Sequence, residues 1–395
     1  MFLDILSVYV LIMFLRMIYS LCTGFLYVRP KISGRYNPLV SVIIPAWNEQ
    51  VGIKKTIRSV MSNSYKNVEV IVVDDGSKDA TIKKSEEIKK SYAINGSKIR
   101  IISQRNFGKA IALNNGIKAS RGEIIVTIDA DSYISKNAIK SLISAMKNDK
   151  NDVAIGQVVV GNTKSFIGSI QFFEYLFGFH FKRSQNIFGS IYIFPGALTA
   201  VRKSVVEDVG YFEDYSSTED LDLSMKIKEK GHRVAYVEDA VCITEGASDI
   251  RGLINQRTRW RHGFLQCVIQ RKEFRNTTSK GLYLSLVDFP LSIIGMLEIY
   301  LYPLFFLYIY SQMFLSLISG NAEIFLASYL LLPYVFFLLS DGKLKKNDQS
   351  LKYVPLIPIL FSLINIIEFI ALIKATFRLL TGRKTAWTSW KRLGA

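Results

Sequence analysis

Apolar residues are unevenly distributed along the chain. Both ends are almost continuously apolar, while the middle alternates between short apolar runs and mixed, charged segments. Runs rich in β-branched residues predict strands at 40–45, 68–73, 99–102 and 123–128. Segments of helical character lie at 49–62, 78–91 and 108–119. This alternation predicts an α/β domain built on a mostly parallel sheet with helices on both faces.

The apolar ends predict membrane-spanning helices. A span needs roughly 20 apolar residues, and the N-terminal stretch is interrupted only by Asp4 and Arg16. In the C-terminal region, candidate spans lie near 282–317, 324–339 and 354–377. The first of these is long enough for one extended helix, with Pro290 and Pro303 as kink sites, or for two cramped spans. The sequence therefore allows three or four C-terminal spans.

Basic residues beside these segments favour a cytosolic middle domain. Arg29, Lys31 and Arg35 follow the first apolar segment, and positive charge collects on the cytosolic side of spans. The segment is too long for a signal-peptide core and lacks a cleavage site, so it predicts a retained anchor with its N-terminus outside. Three C-terminal spans would leave the loop 341–352 inside but put the basic tail outside. Either the first block crosses twice or a later segment does not cross.

The net charge narrows the class of partner. The chain of 395 residues carries 50 basic and 33 acidic side chains, a net charge of +17. Such an excess suits a nucleic-acid protein, but no zinc-finger, helix-turn-helix or RNP-type pattern is present. The three cysteines lack the spacing of a disulfide framework or a zinc site. We therefore expect no nucleic-acid partner, and we attribute the charge to a membrane flank and an anionic ligand.

Polar residues cluster where three of the predicted strands end. Ligands of open α/β sheets bind beyond the carboxyl ends of the strands, so these clusters indicate a binding site. The clusters are Trp47-Asn48-Glu49, Asp74-Asp75-Gly76-Ser77 and Asp129-Ala130-Asp131.

Asp129 and Asp131 predict a metal site. They alternate at a strand end, so both side chains can point to one side. Two carboxylates and the oxygens of a diphosphate provide the hard ligands that Mg²⁺ or Mn²⁺ prefers. Such a metal would act as a Lewis acid on the departing charge of a nucleotide diphosphate. The alternative is a surface loop in which the Asp-x-Asp triplet occurs by chance.

Asp75 and Lys109 are predicted nucleotide contacts. One of Asp74 and Asp75 can cap the turn at Gly76, while the other accepts hydrogen bonds from a base or ribose. Lys109 begins a helix after Gly108, and phosphate binds well at a helix N-terminus. A surface lysine is the alternative for Lys109.

Two downstream segments suit the transfer of a sugar to a hydroxyl. Glu219-Asp220 opens a helix, where Asp220 can serve as the general base; helix capping is the alternative. In the segment 256–260, Gln-Arg-Thr-Arg-Trp, helical spacing puts Gln256 and Trp260 on one face beside Arg259. Arginine binds diphosphate as a planar fork, and an indole offers a flat face to a sugar ring. An interfacial Trp-Arg pair without a catalytic role is the alternative.

Two longer segments are amphipathic rather than spanning. Residues 166–188 interleave aromatic residues with Lys182 and Arg183, and residues 249–275 mix apolar residues with arginines. Both patterns predict helices that lie in the membrane interface. Ordinary helices of a domain core are the alternative.

In this order, the motifs resemble those of the membrane-embedded family 2 glycosyltransferases with a GT-A fold, over about residues 39–274. That group includes hyaluronan, chitin, cellulose and poly-N-acetylglucosamine synthases and ceramide glucosyltransferases. The sequence and the resemblance together predict four sets of site residues. These are nucleotide contacts at Pro45, Asn48, Glu49, Asp75, Lys109, Asp129 and Arg257; metal ligands at Asp129 and Asp131; catalytic residues at Asp220, Glu219, Arg259 and Gln256; and acceptor contacts at Gly196, Ala197 and Trp260.

The resemblance implies an inverting reaction, in which in-line attack on an α-linked nucleotide sugar gives a β-glycoside without a covalent intermediate. The expected enzyme is a hexosyl- or N-acetylhexosaminyltransferase that extends a β-linked polysaccharide from a UDP-sugar. Transfer of one sugar to a lipid acceptor shares every motif and stays an alternative, and a non-catalytic membrane scaffold is a third hypothesis. With so few spans, either a small membrane partner subunit completes a polymer channel or no channel exists.

These patterns predict a multi-pass protein of the cell membrane, in contact with membrane lipid, whose catalytic domain is cytosolic. Its predicted parts are an anchor at 1–28, a GT-A domain at 36–247, an interfacial helix at 248–280, a transmembrane region at 281–380 and a basic tail at 381–395. Residues 386–390 are loosely similar to a cytosolic Trp-Thr element of hyaluronan synthases, which would put the C-terminus inside.

Overall fold

The structure is a computed structural model that describes residues 15, 18–20, 22–30, 36–92, 98–147, 151–276, 279–319, 353 and 356–383. Most of the predicted anchor, the candidate span near 324–339, the loop 341–352 and the segment 386–390 lie outside the described residues.

The described residues form one mixed, mostly parallel sheet of eight strands in the spatial order β3-β2-β1-β4-β7-β6-β8-β5. The strands are β1 Val40–Ala46, β2 Val68–Asp75, β3 Ile99–Gln104, β4 Ile124–Thr127, β5 Tyr133–Ile134, β6 Val153–Val160, β7 Thr199–Arg202 and β8 Val234–Thr244. The four predicted strands are β1 to β4, which pair in parallel. β7 runs antiparallel to both β4 and β6, and the sequence patterns did not predict β5 to β8.

Helices connect and cover these strands. They are α1 Ile53–Met61, α2 Thr81–Ser91, α3 Lys109–Ala119, α4 Ala138–Ala145, α5 Phe166–Ile187, α6 Lys203–Asp208, α7 Glu219–Glu229, α8 Ile250–Gln270, α9 Lys272–Asn276, α10 Phe289–Ser319 and α11 Ile357–Leu380. The three predicted helices of the first half are confirmed as α1, α2 and α3. α1 and α2 begin three to four residues later than predicted, because the residues before them belong to loops.

The sheet is covered on both faces, as predicted. Alternate residues of β1 point to opposite sides, so Val42 packs into one buried cluster while Ile43 packs into the other. The first cluster includes Leu142 of α4, and the second includes Leu113 of α3 and Ile227 of α7. These two apolar layers fix the sheet and leave its carboxyl edge open.

Strand register gathers the polar loops at one edge of the sheet. Asp74 of β2 pairs with Ala46 of β1, and Asp75 pairs with Gln104 of β3, so these parallel strands end together. Because β7 is antiparallel to β4, with Thr199 opposite Thr127, its first residue lies where β4 ends. The loop before β7, residues 195–198, therefore reaches the same edge as the Asp-Ala-Asp triplet.

Among the described residues, two helices are long and apolar enough to cross a membrane, Leu284–Tyr308 and Ile359–Leu380. A short π-helix at Leu284–Asp288 runs directly into α10, so the first C-terminal block is one extended helix. Many apolar side chains of α10 are exposed, among them Leu307 (71%) and Phe314 (64%). The segments predicted to be interfacial are confirmed as the helices α5, α8 and α9, and their position in a membrane interface stays a prediction.

Candidate active site

A cavity of about 780 Å³ opens at the carboxyl edge of the sheet. Its wall contains every predicted site residue except Asn48. Residues from β1, β2, the loop after β4, the loop before β7, and the helices α3, α5, α7 and α8 contribute to it. The predicted site residues in the wall are Pro45, Glu49, Asp75, Lys109, Asp129, Asp131, Gly196, Ala197, Glu219, Asp220, Gln256, Arg257, Arg259 and Trp260.

Asp75 holds the loop that leads into α3. One carboxylate oxygen accepts hydrogen bonds from the Phe107 backbone N–H at 2.9 Å and from the Gln104 amide at 2.7 Å. The other accepts one from the Gly108 N–H at 2.9 Å. Gly108 has φ +96°, a conformation that suits glycine. This buried carboxylate thereby fixes the start of α3, and with it the position of Lys109.

Asp74 and Asn48 hold the turn beside the cavity. Asp74 Oδ2 accepts a hydrogen bond from the Ser77 N–H at 3.2 Å, so Asp74 is the turn-capping member of the pair. The Asn48 side-chain oxygen accepts one from the Lys78 N–H at 2.8 Å. Asn48 has φ +55°, which asparagine tolerates better than most residues. Asn48 is not among the residues that line the cavity, and its hydrogen bond to Lys78 joins the loop after β1 to the loop after β2.

The Asp-Ala-Asp triplet is held through its backbone. The Thr56 hydroxyl of α1 donates to the Ala130 carbonyl at 2.8 Å, and a Cβ on Gly52 would lie 2.9 Å from the same oxygen. Both Asp129 and Asp131 line the cavity. Among the described residues no cluster of three potential metal ligands is present. The two carboxylates nevertheless fit Mg²⁺ or Mn²⁺ if the ligand's phosphate oxygens and water complete the coordination sphere.

Lys109 connects the triplet to the start of α7. Its Nζ lies 2.6 Å from Asp129 Oδ1 and 3.2 Å from Glu219 Oε1. Burial opposes the charge of this lysine, but the carboxylates of Asp129, Glu219 and Asp220 outweigh it and raise the pKa of Lys109. Lys109 therefore contributes a positive charge to the wall of the cavity.

Asp220 has the environment of a general base. Burial and the neighbouring charge of Glu219 raise the pKa of the Asp220 carboxyl from 3.8 to about 6, against the opposing effect of Lys109 and Arg259. A Cβ on Gly196 would lie 2.8 Å from Asp220 Oδ2. Glycine at this position therefore lets the loop before β7 approach the carboxylate. A base is most effective when its pKa is near the working pH.

The start of α7, which carries Asp220, is docked onto α8 and the residue that follows it. The Asp222 carboxylate receives two hydrogen bonds from the Arg271 guanidinium, at 2.7 and 2.8 Å, a bidentate geometry of the strong kind. Gly263 packs so closely on Thr218 that any Cβ there would overlap it. These contacts fix the start of α7 relative to the Gln-Arg-Thr-Arg-Trp segment.

Gln256, Arg259 and Trp260 line the cavity from α8, as helical spacing predicted. The Gln256 side chain is buried, and its amide oxygen has no hydrogen-bond partner among the described residues. A buried polar atom of this kind indicates a missing ligand or water. Arg259 Nη1 donates a hydrogen bond of 3.4 Å to the Ser217 carbonyl oxygen, two residues before the start of α7.

Arg257 is bound to acidic residues that the sequence analysis did not single out. Its guanidinium forms ion pairs with Glu174 of α5 at 2.6 Å and with Glu368 of α11 at 3.5 Å. The sequence did contain one signal for Glu368, because it is an isolated acidic residue within an apolar segment. An acidic residue in such a segment is costly unless it faces protein or water, so a binding partner could have been expected. No local pattern could say which arginine each acid would bind.

The sequence is similar to those of known glycosyltransferases and polysaccharide synthases. The sequence profile of Glycosyl transferase family 2 matches residues 41–210. The chain is 33% identical over 269 residues to a poly-β-1,6-N-acetyl-D-glucosamine synthase of Staphylococcus aureus (strain COL), a match that covers 67% of this chain and 64% of that protein. It is 29% identical over 363 residues to the Staphylococcus epidermidis synthase of the same name, covering 89% and 86%.

A solved structure shares the fold. A mannosyltransferase of Pyrobaculum calidifontis, in complex with GDP-Man and Mn²⁺, superposes with a TM-score of 0.59 at 19% identity, over 95% of both chains. The chain spans 64% of the length of the S. aureus relatives that it matches. From its sequence, its sheet and its relatives, the chain contains a glycosyl transferase family 2 domain at residues 41–210.

Proposed function

We propose that the protein is an inverting glycosyltransferase that extends a β-linked polysaccharide at the membrane from a nucleotide-diphosphate sugar. UDP-N-acetylglucosamine is the proposed donor, because the similar staphylococcal proteins are poly-β-1,6-N-acetyl-D-glucosamine synthases. The observation that carries the proposal is the convergence of Asp129, Lys109, Asp220 and Trp260 on one cavity. These residues come from four separate elements, and each suits one part of sugar transfer.

On the donor side, Asp129 and Asp131 would hold Mg²⁺ or Mn²⁺ against the diphosphate. The metal, when bound, supplies Lewis-acid stabilisation of the leaving diphosphate. Lys109 sits between Asp129 and Glu219, from where its ammonium can also neutralise a phosphate oxygen. Arg259 lines the same cavity and offers the planar fork that matches phosphate geometry.

On the acceptor side, Asp220 removes the proton of the attacking hydroxyl. Its raised pKa, about 6, still leaves it ionised at neutral pH, so it can accept a proton as the bond to the sugar forms. Gly196 and Ala197 line the wall next to this carboxylate. Trp260 offers its indole face to the terminal sugar of the acceptor.

The apolar helices support a location at the membrane. α10 exposes Leu304, Leu307 and Phe314, an arrangement that suits contact with lipid tails. We propose that the protein is multi-pass with its catalytic domain in the cytosol. A small membrane partner subunit belongs to this proposal only if the polymer crosses the membrane through a shared channel.

The test uses isolated membranes with radiolabelled UDP-N-acetylglucosamine and Mg²⁺ or Mn²⁺. We expect a high-molecular-weight product that requires the metal and is lost in Asp220→Asn. A panel of other nucleotide sugars in parallel identifies the donor. A labelled lipid with a single sugar would contradict polymer synthesis, and incorporation that survives Asp220→Asn would contradict the catalytic assignment.

A further inference from the structure

Arg257 lies between two acidic side chains from distant parts of the fold. Its Nη2 lies 2.6 Å from Glu174 Oε2 of α5, and its Nε lies 3.5 Å from Glu368 Oε1 of α11. Arg257 and Glu368 are both buried, at 3% and 5% exposure. Since a buried charge requires partners, these three side chains stabilise one another at the junction of α5, α8 and α11.

Glu368 also binds a second arginine of α8. Its Oε2 lies 2.6 Å from Arg261 Nε, and Arg257 and Arg261 are about one helical turn apart. One carboxylate of the apolar helix α11 therefore holds two successive turns of α8. This arrangement fixes the rotation of α8 about its own axis where Trp260 projects into the cavity.

The Arg257 guanidinium is stacked on Trp260. Its Cζ lies 4.2 Å from the centroid of the indole ring, a distance typical of a cation–π contact. The Tyr175 ring lies 6.4 Å from the same ring, tilted by 38°. The indole is therefore supported by a charged plane whose own position is set by two carboxylates.

We propose that Glu174, Arg257 and Glu368 form an acceptor clamp, in which Arg257 orients the Trp260 indole against the incoming sugar ring. The inference rests on the proposed function and deepens it, because it moves Arg257 from the predicted donor contacts to the acceptor side. Two carboxylates already neutralise the guanidinium, so a diphosphate would have to displace one of them. Glu368 is then a positioning residue, which acts on the acceptor through Arg257 and Trp260.

The test separates acceptor use from donor chemistry in the full-length protein in membranes. Glu368→Gln keeps the shape of the side chain and removes its charge. Transfer to a β-linked N-acetylglucosamine oligosaccharide should then need about tenfold more acceptor for half-maximal rate. Metal-dependent hydrolysis of the donor without acceptor, and the half-saturating donor concentration, should stay within about twofold.

Glu298→Gln is the matched control, because Glu298 is also a buried glutamate of an apolar helix and has no ion pair with Arg257 among the described residues. The acceptor concentration that gives half-maximal rate should be the same in this variant as in the unaltered protein, within about twofold. The double variant Arg257→Gln with Glu368→Gln should need no more acceptor for half-maximal rate than the poorer of the two single variants, because both substitutions break the same ion pair.

If Glu368→Gln does not fold, Arg257→Lys tests the acceptor clamp instead. Lysine keeps the buried positive charge but cannot form the planar stack on Trp260. A raised acceptor requirement with unchanged donor hydrolysis supports the clamp. Equal loss of both reactions, or an unchanged acceptor requirement, overturns it. Absence of sugar transfer by the unaltered protein from any nucleotide sugar would instead overturn the proposed function.

Discussion

The two sides of the cavity are held by different kinds of contact. On the proposed donor side, formed by the loops after β1, β2 and β4, several contacts join a side chain to a backbone group: the Asp75 carboxylate accepts a hydrogen bond from the Gly108 N–H, 33 positions away. The proposed acceptor side, formed by the loop before β7, α5, α7 and α8, also depends on ion pairs between side chains, two of them with Glu368 of α11. The Arg261–Glu368 pair joins residues 107 positions apart, and the Arg257–Glu174 pair joins residues 83 apart.

This difference has a functional consequence. Hydrogen bonds from backbone N–H groups, such as those that the Asp75 carboxylate accepts from Phe107 and Gly108, do not depend on the side chains of the donor residues and suit a constant ligand, the nucleotide diphosphate. Side-chain ion pairs such as Arg257–Glu368 are lost when either residue is substituted, so substitutions on the acceptor side should alter the use of the acceptor. Changes on the donor side should therefore act on the metal and nucleotide, and changes on the acceptor side on the acceptor alone.

The largest expected effect comes from Asp220, where the two sides meet. Asp220→Asn removes the proton acceptor while the size of the side chain is kept, so the transfer rate should fall by about 10²–10⁴-fold. Nucleotide and metal binding should persist, because neither depends on this proton transfer. Rates of labelled-sugar incorporation, with nucleotide affinity measured on the same preparation, check both parts. A loss of nucleotide binding would mean that the base also holds the donor.

Asp129→Asn should act on the donor side alone. A metal's Lewis-acid contribution is worth several kcal/mol, so we expect the rate to fall by about 10²–10³-fold at fixed metal concentration. Part of the loss should be recovered at higher Mn²⁺, whereas the half-saturating acceptor concentration should not move. A titration of Mn²⁺ at two acceptor concentrations measures this. If the half-saturating concentrations of Mn²⁺ and of acceptor both rise, Asp129 affects acceptor binding as well as metal binding.

The same contrast explains how much could be predicted from the sequence. β1 to β4, the helices between them and the clustering of the acids at strand ends follow from local patterns, and the structure confirms all of them. Gly196 came only from the resemblance, since its role depends on β7 running antiparallel to β4. Glu174 and Glu368 were missed because nothing local to either residue encodes a partner on another helix. The family's motifs also suggested Asn48 as a nucleotide contact, which stays a prediction; its side-chain oxygen accepts a hydrogen bond from the Lys78 N–H.

Gly196→Ala tests how closely the loop before β7 must approach the Asp220 carboxylate. An added Cβ would lie 2.8 Å from Asp220 Oδ2 and 3.5 Å from Lys109 Nζ, so the carboxylate must move. A displacement of about 1 Å near the chemistry can cost about 10²-fold in rate. Gly178→Ala is the control, because a Cβ there meets nothing within 4 Å although Gly178 lines the same cavity. Equal rates for the two variants would mean that the Asp220 position is not critical.

The pH dependence gives the smallest effect and the most direct reading of Asp220. Because the pKa of this carboxyl is raised to about 6, the base is protonated and inactive below that pH, and kcat/KM should fall about tenfold for each further unit. An aspartate with an ordinary pKa, near 3.9, would keep full activity down to about pH 5. The profile of kcat/KM between pH 4.5 and 8, at saturating metal, distinguishes the two. In Asp220→Asn the fall of kcat/KM at low pH should disappear, because the residual reaction no longer depends on the carboxylate. If the fall is unchanged in that variant, another group is responsible for the titration.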